Sequence, residues 1–115
     1  MNQENCLFCK IVLKKIPSAV VYEGDEVLGF KDVNPQAPVH YLFVPKRHLG
    51  SVSQVTTTEN PVGLLVLAAT HCARELKMDS TGYRLVMNHG HDGGQTVEHL
   101  HLHLLGGRSM KWPPG

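Results

Sequence analysis

The 115 residues set one domain, large enough to bury a sizeable core. Eleven Lys and Arg against ten Asp and Glu leave a formal charge of +1, which argues against a strongly basic nucleic-acid binder and leaves room for a small anionic ligand held at a local site. Met1-Asn2-Gln3-Glu4-Asn5 has neither the basic nor the apolar region of a secretory leader, and the longest apolar run, Val62 to Ala69, is far too short to span a bilayer, so a soluble cytoplasmic protein is expected.

In chain order, Cys6 to Lys15 reads as a short helix, with Phe8, Ile11, Val12 and Lys15 at helical spacing and Ile16-Pro17-Ser18 ending it. The first two of the three cysteines form Cys6-Leu7-Phe8-Cys9, a spacing that in a cytosolic chain suggests metal or redox chemistry before a disulfide framework. Val20 to Glu23 and Glu26 to Asp32 make a hairpin turned at Gly24-Asp25. Asn34-Pro35-Gln36-Ala37-Pro38 is a loop, because its prolines offer no ladder donors. A third strand runs from Val39 to Pro45. The main helix starts with Asn60 as N-cap and Pro61 at the first helical position. Val62, Leu65, Val66, Ala69, Cys72, Ala73 and Leu76 form its core face. Leu64, Leu67 and Ala68 lie off that face, so the first half is apolar nearly all round and is expected to bury a second side, against another copy of the chain. Tyr83 to Asn88 is a fourth strand, His89 to Gln95 a Gly-rich loop and His99 to Leu105 a fifth strand. The whole is an α+β domain with a mainly antiparallel sheet.

In the last strand histidine and leucine alternate. Leu100, Leu102 and Leu104 would face a core, while His99, His101 and His103 share the opposite face at intervals of about 7 Å. A single three-histidine metal site is disfavoured, since the outer two Cα atoms stand about 13 Å apart on an extended strand whereas Zn–N bonds need about 2 Å. Separate roles fit better. One imidazole attacks phosphorus or a carbonyl, and its neighbours protonate a leaving group or bind the oxyanion. Upstream, the glycines of His91-Asp92-Gly93-Gly94-Gln95-Thr96 let backbone N–H groups approach an anion, with Gly94 among them. Gln95 adds an amide donor and Thr96 a hydroxyl.

The run Gln95-Thr96-Val97-Glu98-His99-Leu100-His101-Leu102-His103-Leu104-Leu105 resembles the signature of the histidine triad superfamily, His-φ-His-φ-His-φ-φ with φ apolar. Asp32 to His40, Val44-Pro45-Lys46-Arg47-His48, Gly82 to Asn88 and the closing Trp112-Pro113-Pro114-Gly115 extend the likeness, over nearly the whole chain, to the histidine triad nucleotide-binding (HINT) branch. That resemblance implies a five-stranded sheet with one long and one short helix, dimerising into a continuous sheet, with residues 108–115 as a tail that contributes to the dimer's active site. It implies a purine nucleoside phosphoramidase that cleaves the P–N bond of nucleoside 5′-phosphoramidates through a nucleotidyl-histidine intermediate. His101 would be the nucleophile, with its ring held by the carbonyl of His99. His103 and His40 would contact the α-phosphate, Thr96 and Gln95 would sit near phosphate and leaving group, and Asn88 matches a further site position. Asp32 matches the carboxylate that accepts the ribose hydroxyls. Ile16, Phe30 and Val33 match the surroundings of the base, though as apolar residues each reads equally as core. Trp112 resembles a residue that reaches the partner's site, or it packs on its own protomer.

Cys6 and Cys9 with two histidines make a zinc donor set. Some prokaryotic-type members of the family carry Cys-x-x-Cys together with counterparts of His48 and His99 and bind a structural zinc. The alternative is two buried thiols without metal. No organic cofactor, membrane or nucleic-acid partner is implied. His71 reads as a surface or interface residue, and His89, His91, Lys10, Lys14, Lys15, Lys46 and Arg47 as solvated groups. The competing functional readings are a dinucleoside polyphosphate hydrolase, which the Trp-Pro-Pro-Gly ending opposes, and a nucleotide sensor or scaffold.

Overall fold

A computed structural model describes residues 3–115; Met1 and Asn2, which open the expected domain and the segment read for a leader, lie outside the described residues. Five strands form one antiparallel sheet in the order β1-β2-β3-β5-β4. They are β1 (Val20–Glu23), β2 (Val27–Lys31), β3 (Val39–Pro45), β4 (Tyr83–Val86) and β5 (Leu102–Gly106). The helices are α1 (Leu7–Val12), α2 (Val62–Glu75) and a single turn α3 (Met78–Thr81), with a 3₁₀ turn at Val52–Gln54. The sequence reading did not resolve α3 or the 3₁₀ turn.

The sheet separates two apolar layers. Val27, Phe43, Leu100, Leu102 and Leu104 pack with Leu65, Ala68, Ala69, Cys72 and Ala73 of α2. Leu28, Phe30, Leu42 and Val44 pack on the other face with Phe8 and Ile11 of α1. Successive residues of a strand point to opposite faces, so β2 is buried from Val27 through Phe30 because helices cover both sides. Gly29 is required there, since a Cβ would lie 2.7 Å from Cε1 of Phe43.

Several boundaries differ from the sequence reading. α1 ends at Val12 and not at Lys15, and Lys14 takes a left-handed conformation with φ of 63°. The first regular residue of α2 is Val62, although the Asn60 side chain still accepts from the Val62 N–H at 3.2 Å, as a cap would. Ala68 is buried rather than off the core face, and Leu76, assigned to that face, is 43% exposed because it follows the last helical residue. Leu64 and Leu67 lie off the core face and are exposed in the single chain. β4 stops at Val86, opposite His103. β5 begins at Leu102 and not at His99. Residues 97–99 form a bend in which the N–H of His99 donates to Val97 O, and that of Leu100 donates to Leu49 O, so this stretch stays outside the ladder. The alternation of faces survives, with the three leucines in the α2 layer. Among the described residues no helix is long and apolar enough to cross a membrane.

Candidate active site

The histidine run lies beside a cleft of about 310 Å³ on the α1 side of the sheet. Phe8, Ile11, Ile16, Phe30, Leu42 and Val97 give it an apolar wall. Asp32, Val33, Thr96, His101 and His103 also line it, with Lys31 and Ser18 among the other polar residues. An apolar pocket with a few converging polar groups is the usual form of a small-molecule site.

The backbone sets the proton positions on the rings. A carbonyl oxygen only accepts, so the 2.7 Å contact from His101 Nδ1 to His99 O places a proton on Nδ1 and leaves Nε2 of the neutral ring with its lone pair. The Gln36 N–H donates to His40 Nδ1 at 3.0 Å, which puts the His40 proton on Nε2. That nitrogen lies 2.9 Å from His103 Nδ1 and 3.4 Å from Asp32 Oδ2. His103 Nδ1 therefore accepts, and its proton sits on Nε2. His103 Nε2 is buried and is the one buried side-chain nitrogen or oxygen without a partner among the described residues. Such an atom calls for a partner, whether water or a bound molecule. Burial lowers the pKa of His101 and, with the neighbouring His101 and His40, takes that of His103 down to about 4. Both rings are neutral near pH 7, as a nucleophile and a neutral donor require.

The sequence-derived residues divide. Ile16, Phe30, Asp32, Val33, Thr96, His101 and His103 meet at the cleft. Asp32 Oδ1 accepts from the Asn34 N–H at 2.8 Å, and Val33 is fully exposed at the rim. His40 is buried behind His103 with both ring nitrogens engaged. The Gln95 side chain is committed to the backbone: Oε1 accepts from the Gly90 N–H at 3.0 Å, and Nε2 donates to Gly50 O at 2.8 Å and Val97 O at 2.9 Å. It shapes the loop instead of offering an amide to an anion. Gly94 is exposed, with φ of 77°, in the turn of that loop. Asn88 and Trp112 do not line the cleft of their own chain. Trp112 is 81% exposed, with the Arg84 guanidinium 6.0 Å from its ring centroid.

Sequence reasoning missed Phe8, Ile11, Leu42 and Val97 as wall residues. Only the helical pairing of Phe8 with Ile11 hinted at an apolar face there. His71 pairs with Glu75 on the surface, His89 Nδ1 meets Ser51 Oγ at 2.7 Å and His91 is fully exposed. Lys14 and Lys46 pair with Glu23, and Arg47 pairs with Glu59.

A second cluster joins Cys6, Cys9, His48 and His99, whose donor atoms all lie within 4.8 Å of one another. Cys6 Sγ is 3.3 Å from His99 Nδ1, Cys9 Sγ is 3.3 Å from His48 Nδ1, and the two Nδ1 atoms are 3.1 Å apart. Bonds of about 2.3 Å to sulfur and 2.0–2.1 Å to nitrogen in a tetrahedron give donor separations of this size. His99 Nε2–H donates to Pro45 O at 2.9 Å, which turns the Nδ1 lone pair toward the cysteines, and burial lowers the His99 pKa to about 4. Backbone N–H groups of Cys9 and Gln3 point at the two sulfurs. The donor set and its outer hydrogen bonds fit a divalent metal ion such as zinc.

The HIT domain family model matches residues 13–110. The chain belongs to the HIT family. It is 46% identical over 118 residues to a 14 kDa zinc-binding protein of Zea mays, covering all of this chain and 91% of that one. A HIT family hydrolase from Legionella pneumophila Philadelphia 1 superposes with a TM-score of 0.91 at 46% identity, covering 96% of this chain and all of the other. A histidine triad nucleotide-binding protein from Candida albicans gives a TM-score of 0.81 at 28% identity, over 95% of this chain and 83% of that one. The HIT fold and the hydrolase character of its structural neighbours thus agree with the histidine run.

Proposed function

We propose that this HIT protein is a purine nucleoside phosphoramidase. The observation that carries the reading is the His101 Nδ1–H bond to His99 O at 2.7 Å, which leaves Nε2 as an unprotonated nucleophile beside the cleft. His101 Nε2 attacks the α-phosphorus, the P–N bond breaks, and the nitrogen, protonated from solvent, leaves as the neutral amine. The new P–N bond makes a nucleotidyl-histidine. Water then attacks phosphorus, the histidine P–N bond breaks, the oxygen stays on the nucleoside monophosphate, a proton is released to solvent, and His101 regains its lone pair. The unpartnered His103 Nε2–H is the donor for the charged phosphoryl oxygen, and Thr96 adds a hydroxyl at the cleft. His40 acts through His103, as a positioning residue that keeps the proton on the far nitrogen. Asp32 accepts the ribose hydroxyls, and the apolar wall holds the base without reading its edge, so adenine and guanine are both accepted.

Zinc at Cys6, Cys9, His48 and His99 serves structure in this reading. It ties α1 to the sheet and takes no part in the reaction. The zinc-binding relative and the four-donor geometry support it. The exposed Leu64 and Leu67 on α2, with the open edge of β4, support a homodimer in which Trp112 approaches the partner's cleft. Mass spectrometry after rapid acid-free quenching of protein mixed with adenosine 5′-phosphoramidate tests the mechanism. Adenylate on the peptide that contains His101 is expected, and label on any other residue contradicts it.

A further inference from the structure

The mechanism leaves Phe8 without a task beyond lining the wall. It stands between Cys6 and Cys9, the two sulfur donors, and is 4% exposed. Its ring meets three others edge to face: His101 at 5.1 Å and 86°, Phe30 at 5.4 Å and 70°, and His99 at 5.9 Å and 71°. One side chain therefore touches the proposed nucleophile, the proposed base wall and a donor of the metal cluster. The helix that carries it has six residues, too few to persist alone in water. Its attachment includes Phe8 and Ile11 in the second apolar layer, with Val12 packed against it, and the two cysteines beside His48 and His99. Fixing both sulfurs fixes the backbone on either side of Phe8, and with it the face that His101 rests against.

We propose that Phe8 is a positioning residue for His101 and that, through it, metal binding at the four-donor cluster and nucleotide binding in the cleft are coupled. The proposal rests on the zinc and nucleotide readings above and adds that the two sites strengthen one another. Coupling of this kind is reciprocal. If the metal raises nucleotide affinity by some factor, the nucleotide raises metal affinity by the same factor. The carbonyl of His99 offers a competing route between the sites, because it holds His101 directly. Phe8→Leu separates the two routes, since it keeps an apolar side chain and leaves the carbonyl in place.

Calorimetry on the full chain measures AMP affinity with zinc bound and after chelation, and zinc affinity with and without saturating AMP. Far-UV circular dichroism follows the sheet in the same samples. One zinc per chain, AMP binding weaker by about tenfold without it, a matching gain in zinc affinity with AMP, and an unchanged sheet signal are expected. In Phe8→Leu the zinc stoichiometry should remain and the coupling should fall below about threefold. ¹⁵N shifts of the His101 ring should then respond less to the metal than in the wild type. Zinc uptake with equal AMP affinity in both forms overturns the coupling and leaves the metal reading standing. Absence of zinc uptake, or of AMP binding in either form, overturns the corresponding reading and the coupling with it. Loss of the sheet signal on chelation assigns the metal to the whole fold and overturns the local link, as undiminished coupling in Phe8→Leu overturns the role of Phe8.

Discussion

His40 Nε2 lies 2.9 Å from His103 Nδ1, and His40 takes its own orientation from the Gln36 N–H at 3.0 Å. A backbone amide thus decides, through two rings, that the outermost nitrogen of His103 carries a proton. His40→Ala breaks this chain and lets the His103 proton move to the wrong nitrogen. Steady-state kinetics on adenosine 5′-phosphoramidate should show kcat falling by on the order of 10²-fold, with KM changing little. A change confined to KM would make His40 a binding residue instead.

Burial lowers the pKa of both His101 and His103, the rings proposed to act on the phosphate. For His103 the folded pKa of about 4 lies under the ordinary value of 6.5. The unfolded chain therefore binds the proton first, and stability is present above pH 6.5 and lost as pH falls toward 4. The contribution of this one ring is on the order of 3 kcal/mol. Urea denaturation should show stability unchanged between pH 7 and 8 and declining between about pH 6 and 4. The profile of kcat/KM should be flat through pH 6.5, and a clear inflection there would mean that the essential histidines are not buried as described.

Asp32 keeps Oδ2 toward His40 while Oδ1 accepts from Asn34 N–H. If it receives the ribose hydroxyls, Asp32→Ala should weaken AMP binding by about tenfold or more, since a hydrogen bond to a charged group contributes on the order of 1.5–3 kcal/mol. The same change should remove most of the discrimination against 2′-deoxy-AMP. Calorimetry with both nucleotides checks this, and discrimination that survives the substitution would place the ribose elsewhere.

Leu67 is 64% exposed on α2 and Leu64 40%. Leu67→Glu should convert the proposed dimer to a monomer in sedimentation velocity at micromolar concentration without unfolding it. A wild type that already sediments as a monomer would remove the partner from the account. By contrast Leu65, fully buried on the same helix, should cost about 2–5 kcal/mol on truncation to Ala, measured by urea denaturation.

Much of this was legible in the sequence because it is local. The His–Leu alternation assigned Leu100, Leu102 and Leu104 to one face and the histidines to the other, and the strands lie where the β-rich runs and turns put them. The family likeness supplied what local pattern cannot, such as the joining of Cys9 to His48 and His99 across 39 and 90 residues. What remained hidden depends on tertiary contact. Gln95 reads as a free amide until its bonds to Gly90, Gly50 and Val97 are seen. Phe8 reads as an ordinary helix residue until α1 is laid across the histidine run. The start of β5 shifted because the Leu100 N–H is taken by Leu49 O, a partner distant in sequence.

The most direct test of the central claim is AMP release from adenosine 5′-phosphoramidate by the wild type and by His101→Ala, with diadenosine tetraphosphate as the comparison substrate. The account predicts rapid AMP release by the wild type, preference for the phosphoramidate, and a loss of at least about 10³-fold in His101→Ala. Faster turnover of the tetraphosphate, or a variant that still releases AMP at the wild-type rate, would contradict it.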